Sequence, residues 1–153
     1  MIQRIDAAFE TLSKLLLTMR RSAYVFACYA ILQGTVILIG GPERFSALGY
    51  DVANHIPGSP YIWGVFIGTA GVIAFFGVKT RTYLLGGIGM IIAAVWSTMF
   101  AGAFLISAIQ SPESNLTAIV AYGKDAVLFT LLAAAFRDLW HQQQKENANE
   151  DEG

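Results

Sequence analysis

AIVAYGKDAVLFTLLAAAF (residues 118–136) reads as an apolar helix, yet it carries Lys124 and Asp125 side by side near its middle. What those charges mean depends on the solvent around the segment. In water they would be unremarked, but in hydrocarbon each needs a partner.

The composition decides between the two. Of 153 residues, 55% are hydrophobic and only 14% are charged, against about 25% charged in an ordinary soluble domain. Crossing a hydrocarbon core of about 30 Å takes roughly 20 apolar residues in a helix. Four segments satisfy this: about 22–40, 61–78, 83–109 and 116–136. Backbone groups find no water in lipid, so each span must be helical throughout. The fold expected is therefore an all-α integral membrane protein with four transmembrane helices in a domain over residues 22–138.

Orientation follows from the cations. With the N-terminus inside, Arg4, Lys14, Arg20, Arg21, Lys79, Arg81, Arg137 and Lys145 fall on the inner side and only Arg44 on the outer. Both termini are expected in the cytoplasm, with the chain in the cytoplasmic (inner) membrane. The first apolar run lacks a small-x-small cleavage site followed by polar sequence, so it reads as a retained span rather than a signal peptide.

Local punctuation agrees. GGPERF (40–45) should end the first span with glycine and proline. GSPY (58–61) and QSPES (110–114) each offer Ser ahead of Pro, an N-cap followed by an N1 proline. VKTRTY (78–83) reads as a tight inner turn. Tyr61 and Trp63 suit the outer aromatic belt, and Tyr24, Tyr83 and Trp140 the inner one.

Outside the spans, residues 1–21 repeat apolar side chains at helical spacing (Ile2, Ile5, Phe9, Leu12, Leu16) opposite Asp6, Glu10 and Lys14. Two readings fit: a helix lying on the inner leaflet, held by Arg20 and Arg21 near anionic lipid, or an extension of the first span. The polar tail, 139–153, is acidic at its end and shows no apolar face, so disorder is expected.

The candidate functional residues are Lys124 and Asp125. An unpaired charge at mid-bilayer costs at least about 2.5–3.5 kcal/mol on insertion scales. Adjacent residues diverge by about 100° around a helix, so the two are not expected to neutralise each other. At least one should reach another helix, another subunit or a polar cavity, with Gln33, Thr35, Ser97 and Thr98 as nearby polar candidates. The functional readings are a water-lined lumen, a proton relay or a subunit contact. The structural alternative is a pair that fixes helix packing. Gly64, Gly68 and Gly71, with Gly86 and Gly89, form small-residue stripes for close packing within the bundle or between copies.

Several classes find no support. A single cysteine, Cys28, excludes an internal disulfide framework, and it reads as a packed apolar residue. His55 and His141 fall on opposite sides of the membrane by this topology. No catalytic triad, phosphate loop or zinc spacing is present, so no enzyme activity, metal or cofactor is expected. The net charge of −1 gives no basic field for nucleic acid. The expected partners are the lipid bilayer and either further copies of the chain or another membrane protein.

A family likeness rests on GPERF after the first span, PGSPYIWGV (57–65) entering the second and AAVWSTMFAGAFLISA (93–108) in the third. With this four-span layout, residues 24–135 resemble small membrane proteins of actinobacteriophages. Several of these are called holins or accompany an endolysin, although holins more often have one to three spans. The resemblance implies a bacteriophage protein that oligomerises, permeabilises the host membrane and so contributes to host cell lysis. It carries no catalytic residues. The alternatives are an accessory or regulatory membrane subunit, such as one for superinfection exclusion, and a small transporter or channel. The last usually resembles a chain with an acidic residue in its first span, where this one has Gln33.

Overall fold

The computed structural model describes residues 2–44, 58–110 and 116–151, and side chains at 18–42, 58–110 and 116–149. Four helices account for nearly all of them: α1 (Ile2–Arg44), α2 (Tyr61–Thr80), α3 (Tyr83–Gln110) and α4 (Leu116–Asp151). Each contains a stretch long and apolar enough to cross a membrane: Thr18–Pro42, Tyr61–Thr80, Tyr83–Gln110 and Leu116–Asn149. Among the described residues there is no strand. The chain is a multi-pass helical membrane protein.

The predicted starts of α2, α3 and α4 coincide with the observed ones. Gly41 breaks the helical backbone (φ 54°, ψ −160°) just ahead of Pro42, which is where the GGP punctuation ends the first span. Arg81 closes α2 in the left-handed conformation. The turn beyond it is tied by a Thr80–Thr82 hydroxyl contact at 2.9 Å and by Gly86 N–H donating to the Thr82 carbonyl at 3.1 Å.

Of the two readings of residues 1–21, the structure has the extension, with α1 running from Ile2 through the first span. Three expectations are corrected. The polar tail is helical to Asp151 rather than disordered, since Gln, Lys, Glu and Ala favour a helix once α4 has nucleated it. Ser59 does not cap α2. The cap position is Pro60, the Ser59 hydroxyl is buried without a partner, and Ile62 N–H donates instead to the Gly58 carbonyl at 3.0 Å. Trp63 is buried against Phe100 rather than lying in an outer belt, with ring centroids 5.3 Å apart. The Ser-Pro start proposed for α4, His55 and the outer loop before Gly58 lie outside the described residues.

The helices pack as an antiparallel series, α1 on α2, α2 on α3 and α3 on α4, while α1 and α4 touch at only a few points. Lipid gives helices no hydrophobic reason to associate, so close van der Waals fit must hold them. Small residues supply it on α1 and α2. A Cβ on Gly34 would lie 2.6 Å from the Gly64 carbonyl oxygen and 2.7 Å from Gly68 Cα, and one on Gly71 would lie 2.7 Å from Ile31 N. Between α2 and α3, a Cβ on Gly89 would lie 2.5 Å from Ala74 N. Gly86 instead faces the Phe136 ring of α4. The five predicted glycines thus pack inside the chain, and Gly34 joins them.

In the other half of the core, bulk replaces small residues. Trp96 stacks on Phe100 at 4.4 Å, and Tyr122 of α4 lies against Trp96, Phe100 and Phe104 at 5.4–5.6 Å. Such ring pairs add about 0.5–1.5 kcal/mol each beyond simple burial.

These contacts separate two neighbouring positions. Gly34→Ala is expected to lower unfolding stability in mixed detergent micelles by about 1–3 kcal/mol, the usual effect of overpacking. Gly68→Ala should leave it nearly unchanged, because its Cβ would meet Gly34 Cα at an ordinary 3.8 Å.

Candidate functional site

Asp125 stands nine residues into α4, about 14 Å along its axis and so close to half the hydrocarbon thickness. Its side chain is turned into the bundle and is only 6% exposed. There it accepts a hydrogen bond at 3.0 Å from the Tyr29 hydroxyl of α1, on Oδ2. Tyr29 lies near the middle of the Thr18–Pro42 span. One turn deeper in the same seam, Phe26 meets Phe129 edge to face, with centroids 5.6 Å apart. These two pairs join the first and last helices.

Lys124 behaves differently from its neighbour. Its side chain is 65% exposed on the flank of the bundle, yet Nζ turns back to 3.5 Å from Asp125 Oδ1. This departs from the expectation that the two would not neutralise each other. The helix does separate their Cβ directions by about 100°, but four methylenes give lysine the reach to fold round to the carboxylate. Asp125 is thus met on both oxygens, by a phenol from inside and an ammonium from outside. Removing one partner of such a group is more damaging than replacing both by apolar residues.

The other predicted polar residues do not join this centre. Gln33 lies one turn beyond Tyr29 on the same face of α1, but its Oε1 is buried and makes no hydrogen bond. Ser97 Oγ and Trp96 Nε1 on α3 are likewise buried without partners. Thr35 and Thr98 bond back to their own helices, at the Ile31 and Ala94 carbonyls. Gly123 has open space where a Cβ would stand, so it serves no close packing. At the bundle end bearing the α2–α3 turn, Arg20 places its guanidinium over the Tyr24 ring at 5.9 Å, while Arg21 is exposed. Cys28 is exposed rather than packed.

Tyr29 is the Asp125 partner that pattern reading overlooked. The available signal was its depth: tyrosines of membrane helices gather at the interfaces, and this one sits mid-span with an O–H needing an acceptor. Among the described residues, no three His, Cys, Asp or Glu side chains gather as a metal site. No protein-family model, curated protein or solved structure matches the chain.

The arrangement makes an asymmetric prediction. Asp125→Leu strands the Lys124 ammonium in hydrocarbon and should lower stability by about 2.5–3.5 kcal/mol. The double change Lys124→Leu with Asp125→Leu should recover much of that loss. Unfolding of both variants in mixed micelles measures it, and equal losses would refute the pairing.

Proposed function

We infer that the chain is a holin-like bacteriophage protein that oligomerises in the host cytoplasmic membrane and permeabilises it. The observation that carries this reading is Lys124, a cation 65% exposed on the bundle flank at mid-membrane depth. Acyl chains do not solvate an ammonium, and its contact to Asp125 leaves most of its surface outward. That flank is therefore suited to water or to a second copy. Assembly of copies around a lumen supplies both at once. The remaining surface carries large apolar side chains such as Leu32, Ile39, Val65, Val120 and Leu131, which suit lipid.

The topology that accompanies this reading has both termini in the cytoplasm. The cation asymmetry supports it, and so does the gathering of Arg20, Lys79, Arg81 and Arg137 near one end of the bundle. The ring contacts Tyr24–Phe75 and Tyr83–Phe136 lie at that same end.

A second reading draws on the same lysine. As an accessory subunit, the chain would pair Lys124 with an acidic residue of a larger membrane complex.

Induced expression in a bacterial host separates the two. The holin-like reading predicts an abrupt fall in membrane potential and culture growth, with timing shifted by Lys124→Leu. Sustained growth with intact potential at high expression would exclude it. Co-purification of a stoichiometric partner without depolarisation would favour the accessory role.

A further inference from the structure

The flank between α3 and α4 carries a groove unrelated to the Tyr29–Asp125 centre. Two cavities of about 320 and 330 Å³, both open to the side, share Ile91, Thr130 and Ala133, so they adjoin end to end along one groove. One end is at Tyr83, Arg137 and Trp140, and the other is at Met99. From Tyr83 to Met99, α3 rises about 24 Å, more than half of a 30 Å hydrocarbon core. Room between the helices is left because Gly87, Ala94, Ala133 and Ala134 present little bulk. Apart from the hydroxyls of Thr98 and Thr130, the lining beyond the mouth is apolar. Both are bonded back to helix carbonyls, at Ala94 and Ala126.

The mouth has the opposite chemistry. Arg137 lines it, flanked by Tyr83 and Trp140, two rings of the kind that favour the headgroup level. Lys79 and Arg81 are exposed on the adjoining turn. Asp138 accepts from Arg137 Nε at 3.2 Å and Nη2 at 3.1 Å, both on Oδ1. That pair is about two-thirds exposed on each side, so it is weak and readily exchanged, and Nη1 takes no part in it. A guanidinium prefers a planar, two-oxygen acceptor, which phosphate offers.

We propose that this groove binds one anionic phospholipid, with an acyl chain along α3 and α4 and its headgroup phosphate on Arg137. Length, apolar lining and a cationic mouth with aromatic flanks match such a lipid end to end. Basic pockets between membrane helices take anionic headgroups by this chemistry. The site does not depend on the permeabilisation reading, because it uses neither Lys124 nor Asp125.

The test uses the full-length chain in detergent, titrated with phosphatidylglycerol or phosphatidylcholine and followed by native mass spectrometry. Wild type should retain one phosphatidylglycerol with about five-fold preference, the effect of one basic side chain at a membrane surface. Arg137→Gln should abolish the preference while weak binding of both lipids persists. Ile91→Trp, at a position 54% exposed and central to the groove, should reduce binding of both without unfolding the bundle. Equal retention of the two lipids by wild type overturns the proposal. So does a preference that survives Arg137→Gln, or a groove occupied by a second copy, seen as a lipid-free dimer that Ile91→Trp dissociates.

Discussion

A carboxylate at the middle of a bilayer has to be met by donors that the protein itself supplies, and most of what is unusual in this structure follows from that requirement. Asp125 draws the Tyr29 hydroxyl across from α1 and turns the Lys124 ammonium inward from the flank. With Phe26 against Phe129, these contacts close the bundle where its first and last helices otherwise hardly touch. The neighbouring seams rely on shape instead, with glycines and alanines between α1, α2 and α3 and an aromatic cluster between α3 and α4. Three seams are apolar and tight. The fourth is polar and sparse.

That difference bears on function. Tight apolar seams have no reason to reorganise, whereas the sparse seam between α1 and α4 is the part of the bundle least costly to open. The same ion pair leaves a cation on the flank, and hydrocarbon is a poor surrounding for it. Under the proposed function, that flank meets a second copy of the chain or a partner. The α3–α4 groove offers lipid a more ordinary reception, with its cation at the bundle end and only apolar wall and satisfied hydroxyls beneath.

The spans were legible because hydrocarbon imposes one rule, about 20 apolar residues with paired backbone, and α2, α3 and α4 begin at Tyr61, Tyr83 and Leu116 as the apolar runs place them, with Gly41 breaking the first helix. The internal role of the glycine stripes was half legible, since spacing marks a close approach without saying to which helix. Gly34 was missed because no other glycine lies within a turn of it on α1, and only its meeting with Gly64 and Gly68 reveals it. That Lys124 and Asp125 need partners could be read from their cost in lipid. Their partners could not, because Tyr29 lies 96 residues away and helix order decides which face it shares. Lysine reach likewise defeated the argument from helical angle. The helical continuation to Asp151 was hidden because an exposed polar helix has no periodic signature to show.

The most direct measurement is the coupling energy between Tyr29 and Asp125, from a double-mutant cycle of Tyr29→Phe and Asp125→Ala unfolded in mixed micelles. Membrane hydrogen bonds measured this way average about 0.6 kcal/mol and reach about 1.7. A coupling toward the upper end of that range is expected, because the acceptor is buried and charged. Strict additivity of the two substitutions would mean that α1 and α4 do not meet here, and would contradict the account.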